Sequence, residues 1–464
     1  MKKVLAIDMG ATSIRGILGW VEDGKIHTEE VMRFSHDIVH ENGRMRWQFE
    51  KILSNIKGCI EIYQDQICSI GIDTWGVDFG ILDSNGKLIE NPVSYRDTQI
   101  PLGYEAAKKA LSEKDIFLDT GTQLMSINTL FQLLAIKELD KATFDKIHTI
   151  LMMPDLIQYF LTGNAQGEET IWSTSQILNL ATRDYSAKIK NLLGLSDSVY
   201  PEVHKAGSIT GYMGDIAVVN VCGHDTASAV LLTQAMYDLD TMFLSCGTWS
   251  LFGARVNKAM LTEEVYNADL TNELGYDSAN LLFKNITGLY LLEKYKSQLE
   301  EKWGRKISFD EITEHCEKLF AESQTPMLAM DITDPRFANE TMDAAKEIAE
   351  YLAQHGQTAP SDPMDYFAII YDSLIDEYIN TKSQLESIVG KQYHKLHMIG
   401  GGAKSKLLCS RIASRMNVEL TAGPFEASAL GNILIQLVAM NQFDSISSAI
   451  ACAMNTEKTN KYHK

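Results

Sequence analysis

A short apolar run, a glycine turn and a second apolar run occur twice in this 464-residue chain. The first passes through Ala6-Ile7-Asp8-Met9-Gly10-Ala11-Thr12-Ser13 and leaves along Ile14 to Leu18. The second passes through Leu244-Ser245-Cys246-Gly247-Thr248-Trp249-Ser250 and leaves along Leu251 to Ala254. Each reads as strand, tight turn, strand. A third glycine turn, Gly400-Gly401-Gly402-Ala403, follows the apolar residues Met398-Ile399. Glycine lets a backbone bend sharply and approach a ligand where a side chain would block it. Neighbouring Thr and Ser residues add hydroxyl donors. Two facing hairpins and a later triple glycine predict a nucleotide clamp between two halves of one chain. Asp8 to Ser13 aligns loosely over Ser245 to Ser250, which points to an internal duplication.

The length allows two domains with separate cores. We place the boundary at the polar bridge near Tyr237-Asp238-Leu239-Asp240, giving domains 1–237 and 238–464. The net charge of −19 repels nucleic acid and anionic membrane, so neither is an expected partner. The same field opposes ATP, itself an anion, so turn amides and a divalent cation must overcome it locally. The apolar run after Met1-Lys2-Lys3 breaks at Asp8, unlike a signal peptide. No apolar stretch approaches the ~18 residues that span a bilayer. The seven cysteines are scattered without a Cys-x-x-Cys pair, as expected of buried, reduced thiols in a cytoplasmic protein, and zinc is not expected.

Periodicity predicts a helix from Phe49 to Tyr63, with Ile52, Ile56, Ile60 and Tyr63 on one stripe. Ser69-Ile70-Gly71-Ile72 reads as a buried strand, and Phe79 to Leu88 as a hairpin turning at Ser84-Asn85-Gly86. Helices are expected over 103–112, 128–138, 154–162 and 173–180, then over 289–301, 309–322, 341–355, 366–388 and 404–416. The tail from about 455 is polar and expected to fray.

Several clusters could carry chemistry, and each has a plainer structural reading. Asp8, at a glycine turn, could hold a metal ion directly or through water, or simply satisfy turn amides. Gly247-Thr248 offers a second phosphate contact or an ordinary turn, with Trp249 reading as packing. The three glycines 400–402 leave a bare surface where a flat ring could lie near a helix N-terminus. Neither the dinucleotide fingerprint nor the Gly-x-x-x-x-Gly-Lys-[Ser/Thr] loop is present. Asp225, in Gly223-His224-Asp225-Thr226, could be a general base toward a substrate hydroxyl, a helix N-cap, or both. His224 alone reads more readily as a hydrogen-bonded structural histidine. Asp73-Thr74-Trp75-Gly76-Val77-Asp78 combines an aromatic face with acceptors suited to a sugar, or is a core tryptophan with capped turns. Tyr95-Arg96-Asp97 is an internal ion pair or a substrate loop. Asn285 is a cap or a hydroxyl contact.

In this order the pieces resemble the FGGY family of sugar kinases over about residues 3–440. The most specific stretches are 69–79, Leu151-Met152-Met153-Pro154-Asp155, His224-Asp225-Thr226-Ala227-Ser228-Ala229, Ser245 to Ser250, and Gly400 to Gly402. The first and third resemble the members that act on L-rhamnulose. The resemblance implies an α/β fold, actin-like (ribonuclease H-like) and duplicated, with two domains around a cleft that closes on sugar and ATP. It implies transfer of the γ-phosphate of ATP, with Mg²⁺, to the 1-hydroxyl of L-rhamnulose. Asp225 would be the base, and Asp8 would hold Mg²⁺ through water. Ala11, Thr12, Ser13, Ile14, Arg15 and Thr248 would embrace the phosphates. Gly401, Gly402 and Glu293 would lie at the nucleotide. Gly76, His224, Asp225, Thr226 and Asn285 would line the sugar site. Ser405, Glu293 and Ile14 depart from the family pattern, which commonly has Asn, Gln and a smaller residue there. A monomer or homodimer is expected. Other ketoses (L-fuculose, L-ribulose, xylulose) stay open as substrates. An ATP-dependent switch ranks below the kinase because it needs no base such as Asp225, and a catalytically dead sugar sensor because Asp8 and Asp225 are both present.

Overall fold

Eight consecutive buried residues, Ile67–Thr74, form the strand around which the first half of the chain is built. Such a run is buried on both faces and belongs in the middle of a parallel sheet. In the computed structural model, which describes residues 2–10, 13–322, 330–338 and 341–463, it pairs in parallel with Lys3–Met9 on one side and Ile216–Val219 on the other. Lys3–Met9 turns back antiparallel into Ser13–Glu22, which pairs with Lys25–Ser35. Ile209–Met213 closes the other edge of this six-stranded sheet. The predicted helix Phe49–Tyr63 forms and buries Phe49, Ile52, Ile56 and Ile60 in one core with Leu5, Ile7, Ile70 and Ile72.

Contacts divide the chain into two units, Met1–Leu232 with Arg255–Leu282 and Glu426–Lys458, and Thr233–Ala254 with Phe283–Phe425 and Thr459–Lys464. Each unit is thus discontinuous in sequence, where the sequence suggested one boundary at 237/238. The reason is visible in the helix Ala427–Ala439, far along the chain yet seated on the first sheet. Its Gln436 donates to the Leu5 carbonyl (3.1 Å) and accepts from Ser69 Oγ (2.7 Å). A Cβ on Gly71 would sit 2.5 Å from Asn432 Oδ1 of the same helix.

The second unit repeats the device. Thr241–Cys246 turns antiparallel into Trp249–Val256 and pairs in parallel with Lys395–Ile399, which pairs with Glu419–Ala422. The long helix Asp365–Val389 packs Phe367, Leu374 and Tyr378 into the core below. The tail expected to fray instead adds a short strand, Asn460–Tyr462, antiparallel to Glu419–Ala422. The helix expected over 173–180 does not form. There Ser173, Thr174 and Ser175 hydroxyls bond back to carbonyls three residues earlier, and Gln176 turns left-handed at φ 61°. Such hydroxyl-to-backbone bonds compete with helix propagation. The turn at 84–86 forms, but the main partner of Phe79–Leu82 is Thr149–Met152. Six of the seven cysteines are buried and all are free. Among the described residues no helix is long and apolar enough to cross a membrane.

Candidate active site

Asp8 stands opposite Asp73 in the parallel pair formed by their strands. Residues in register put their side chains on one face of a sheet, so two carboxylates emerge together. Asp8 is buried and accepts from the Arg15 guanidinium and from Ser428 Oγ (3.1 Å). Arg15 faces Asp8 across the hairpin and also donates to Glu426. Burial works against its charge, but Asp8 and Glu426 together raise its pKa. Asp73 is fully buried and accepts from Asn432 (2.6 Å), while its other oxygen has no protein partner. Burial pushes the Asp73 pKa well up, and the charges of Asp8 and Asp225 push the same way.

The strand end at Thr74 bridges in parallel to His224, and Thr74 N–H donates to the Gly223 carbonyl (2.8 Å). This delivers Asp225 to the head of the helix Asp225–Val230. Its side chain remains 30% exposed in otherwise buried surroundings. Burial raises its pKa to about 6, with His224 opposing and Asp8 adding to the rise. Thr226 Oγ1 donates to Asp225 at 3.3 Å. His224 is buried; its Nδ1 lies 3.0 Å from Glu273 and its Nε2 lies 3.6 Å from Asp225. Burial alone would lower the His224 pKa, yet Glu273 reverses this and it is raised. Gly76 follows two residues after Thr74, and a Cβ there would press on Thr174 at 3.1 Å.

The rest of the 73–78 cluster takes its structural reading. Asp78 is fully buried and accepts from the indoles of Trp47 (2.6 Å) and Trp75 (2.9 Å) and from Gln132 (2.9 Å). Asp97 pairs with Arg44 at 2.6 Å. Ile14 is wholly buried, so only its backbone can meet a ligand. Ser13 is half-buried, and Ala11 and Thr12 lie outside the described residues.

In the second unit, Thr248 is exposed at the hairpin tip, next to a Trp249 that is 38% exposed rather than packed. Leu289 N–H donates to the Gly247 carbonyl (2.9 Å), and a Cβ on Gly288 would meet that carbonyl at 2.7 Å. The turn therefore abuts the end of the Ala279–Thr287 strand, which carries a half-buried Asn285, and the helix Tyr290–Trp303, which carries an exposed Glu293. The triple glycine lies against the same hairpin. Gly400 has φ 85° and a Cβ there would meet the Cys246 carbonyl at 2.7 Å, while a Cβ on Gly402 would meet Cys246 Sγ at 2.4 Å. Gly401 is exposed with open space beside it. Ser405 caps the following helix Lys406–Met416, accepting from Leu408 N–H at 3.2 Å. A side-chain oxygen is what that position uses, and Ser supplies it as Asn would.

Asp8, Asp73 and Asp225 offer hard oxygen donors, which suit Mg²⁺. Among the described residues the one set of three acid, His or Cys ligands within 4.8 Å of one another is His315, Asp362 and Asp365. The three aspartates are not so closely grouped.

Family models of the FGGY carbohydrate kinases match here, the N-terminal domain over residues 3–231 and the C-terminal domain over 242–440. The chain belongs to the FGGY family of carbohydrate kinases. A rhamnulokinase of Halalkalibacterium halodurans is 32% identical, the match covering 97% of this chain and 96% of that protein. One of Bacteroides thetaiotaomicron is 33% identical, covering 99% and 95%. A crystal structure of Plasmodium falciparum glycerol kinase with ADP superposes with TM-score 0.80 at 18% identity, covering 100% of this chain and 94% of that one. A ligand-bound xylulose kinase from Lactobacillus acidophilus gives 0.78 at 15%, covering 100% and 94%. The protein is a sugar kinase, a phosphotransferase with ATP as co-substrate.

Sequence reasoning passed over three contributors to this region: Glu273, and the helix residues Ser428 and Asn432. For Asp73 beside Asp8 a signal existed, since both strands carry Ile-Asp just before their last residue (Ile7-Asp8 and Ile72-Asp73). Nothing local marks Glu273 or Asn432, whose partners lie far away in sequence.

Proposed function

We infer that the protein transfers the γ-phosphate of ATP to the 1-hydroxyl of L-rhamnulose. The observation that carries the chemistry is Asp225, a part-exposed carboxylate at a helix head with its pKa raised to about 6. A general base works best when its pKa lies near the working pH and its geometry is fixed. The substrate choice is supported by near-full-length similarity to proteins named rhamnulokinase.

In this reading the first unit holds the sugar. Gly76, His224 and Thr226 hydrogen-bond its hydroxyls or leave room for them, and Asn285 is a further proposed substrate contact. Asp225 accepts the proton as the 1-hydroxyl oxygen attacks phosphorus. Thr248, Gly401, Gly402 and Glu293 of the second unit take the nucleotide, and the backbone from Ala11 to Arg15 meets the phosphates. Asp8 is the residue that would hold Mg²⁺ through water, with Asp73 behind it. When bound, the ion would neutralise charge on the phosphate oxygens. We further propose a cytoplasmic monomer or homodimer.

The test is a coupled ADP-release assay over L-rhamnulose, L-fuculose, L-ribulose and xylulose, with wild type and Asp225→Asn. L-Rhamnulose is expected to give the highest kcat/KM. The Asp225→Asn variant is expected to lose on the order of 10²–10⁴-fold in turnover while still binding ATP and sugar. Another preferred ketose would overturn the substrate, and near-normal turnover in the variant would overturn the base.

A further inference from the structure

We propose that Val77 is a specificity-determining residue of the sugar site: a strained turn carries its isopropyl group out of the core and against the methyl carbon of a 6-deoxy ketose. This rests on the reading of the first unit as the holder of L-rhamnulose.

The structural roles of Trp75 and Asp78 leave Val77, between them, to be explained. Among the described residues it is the one β-branched residue with a positive φ, at 69°. A β-branched side chain is crowded in that region, which glycine occupies freely. Asp78 N–H donates to the Gly76 carbonyl at 2.9 Å. With that φ, the three residues make a γ-turn of the rare, strained hand. The turn is held from both sides. Val77 N–H donates to Thr174 Oγ1 (3.0 Å), and the Val77 carbonyl accepts from Thr129 Oγ1 (2.6 Å) and Gln132 Nε2 (3.3 Å). Strain of this kind persists only where the surroundings over-determine it, and it collects at active sites and ligand clamps.

The turn decides what Val77 can meet. In an extended chain Trp75, Val77 and Phe79 would share a face. Trp75 and Phe79 are buried in hydrophobic cores, whereas Val77 is only half-buried. Its N–H and carbonyl are both used within the protein, so what the residue offers outward is hydrocarbon. Glycine would make the same turn without strain, so the side chain has a use that the turn does not require. The place supplies one. Thr74 is bridged to His224, beside the base, and the three residues from Thr74 to Val77 span at most about 11 Å. The one apolar group of L-rhamnulose is its methyl, at the far end of the carbon chain from the 1-hydroxyl. L-Fructose differs from it only in carrying a hydroxyl on that carbon. Pressed on an isopropyl group, that hydroxyl would give up water without gaining another partner.

The experiment measures kcat/KM for L-rhamnulose and for L-fructose, with thermal unfolding, in wild type, Val77→Gly and Val77→Thr. Wild type is expected to prefer L-rhamnulose by roughly 100-fold, the scale on which an apolar pocket rejects an added hydroxyl. Val77→Gly removes both the strain and the contact. It is expected to melt no lower than wild type while the preference falls about 10-fold or more. Val77→Thr keeps the shape and adds a hydroxyl, and should shift the preference toward L-fructose. A Val77→Gly variant that melts well below wild type, or that loses the same factor on both sugars, would make Val77 a structural residue and overturn the proposal. A wild-type preference that survives in both variants would overturn it too, and would leave the substrate reading intact. A wild type that does not prefer L-rhamnulose to L-fructose would instead overturn the substrate reading, and the present proposal with it.

Discussion

The two glycine hairpins are built alike and armed differently. In both, a buried strand enters, turns on glycine and leaves antiparallel, with a parallel strand at its side. In the first, Asp8 faces Arg15 across the hairpin and Asp73 across the parallel pair. In the second, the matching Ser245 faces Leu251 and Ile399. The second turn is also one residue tighter. Gly10 N–H reaches the carbonyl three residues on, at Ser13 (3.0 Å), whereas Gly247 N–H reaches Trp249, two residues on (2.8 Å). The loose sequence alignment of the two turns therefore slips by one after the glycine. Around the second turn Ser250 Oγ and Tyr378 OH lie 2.6 Å apart, with Cys246 beside them. One backbone device carries an aspartate in one unit and a serine at the matching position in the other. At the second turn itself a phosphate would meet amides and hydroxyls, and the carboxylate near it is Glu293, on the adjoining helix.

The largest effect should come from exchanging that difference. Asp8→Asn is expected to lower turnover by roughly 100-fold or more, the scale seen when one preorganised charge-stabilising group is lost. It should also raise the Mg²⁺ concentration needed for half-maximal rate. Ser245→Ala, at the matching position, should leave the Mg²⁺ requirement where it was. Mg²⁺ titrations of both variants at saturating sugar and ATP decide the matter. An unchanged requirement in Asp8→Asn would remove Asp8 from the metal role.

The triple glycine sharpens the comparison in the second unit. Gly400→Ala meets both a left-handed backbone and the Cys246 carbonyl, and should cost on the order of 1–3 kcal/mol in stability. Gly401→Ala meets open space and should change stability by less than about 0.5 kcal/mol. If the nucleotide lies over this turn, Gly401→Ala should raise the KM for ATP with the fold intact. Thermal unfolding of the two variants separates packing from binding, and equal shifts would sink this account of why three glycines stand together.

Much of this arrangement can be read from the chain. The hairpins, the helix Phe49–Tyr63 and the placement of Asp225 at a helix head follow from local periodicity and turn chemistry. The triple glycine was legible as a turn but not in its parts. Its outer two residues are glycines because Cys246 lies against them, and only the fold reveals that neighbour. The cluster 73–78 misled in the opposite direction. Its Trp75 and Asp78 look like a sugar platform in sequence but bond to each other in the core. Least legible was the helix Ala427–Ala439. Its Ser428 and Asn432 contact Asp8 and Asp73 from more than 350 positions away, and no spacing rule carries that far.

The smallest expected effect tests whether the charged side is held at a cost to stability. Asp73 is buried with one oxygen unpartnered, and burial and Asp8 raise its pKa in the folded state. A carboxyl that binds its proton more tightly when folded binds more protons in the native state than in the unfolded one. Its contribution to stability is then fully present below the ordinary Asp pKa of about 3.9 and is lost as pH rises toward the folded value. Asp73→Asn removes this penalty, since an amide can still accept the hydrogen bond from Asn432. The variant should match wild type near pH 4 and exceed it by about 0.5–2 kcal/mol near pH 7.5, with activity reduced, as when stability is traded for a functional site. Added Mg²⁺ should narrow the gap at the higher pH by stabilising wild type, because only wild type has the second carboxylate to meet it. Melting curves at the two pH values, with and without Mg²⁺, measure all of this. A destabilised Asp73→Asn at pH 7.5 without metal would show that the charged strand ends are internally balanced, and that the contrast between the hairpins costs the fold nothing.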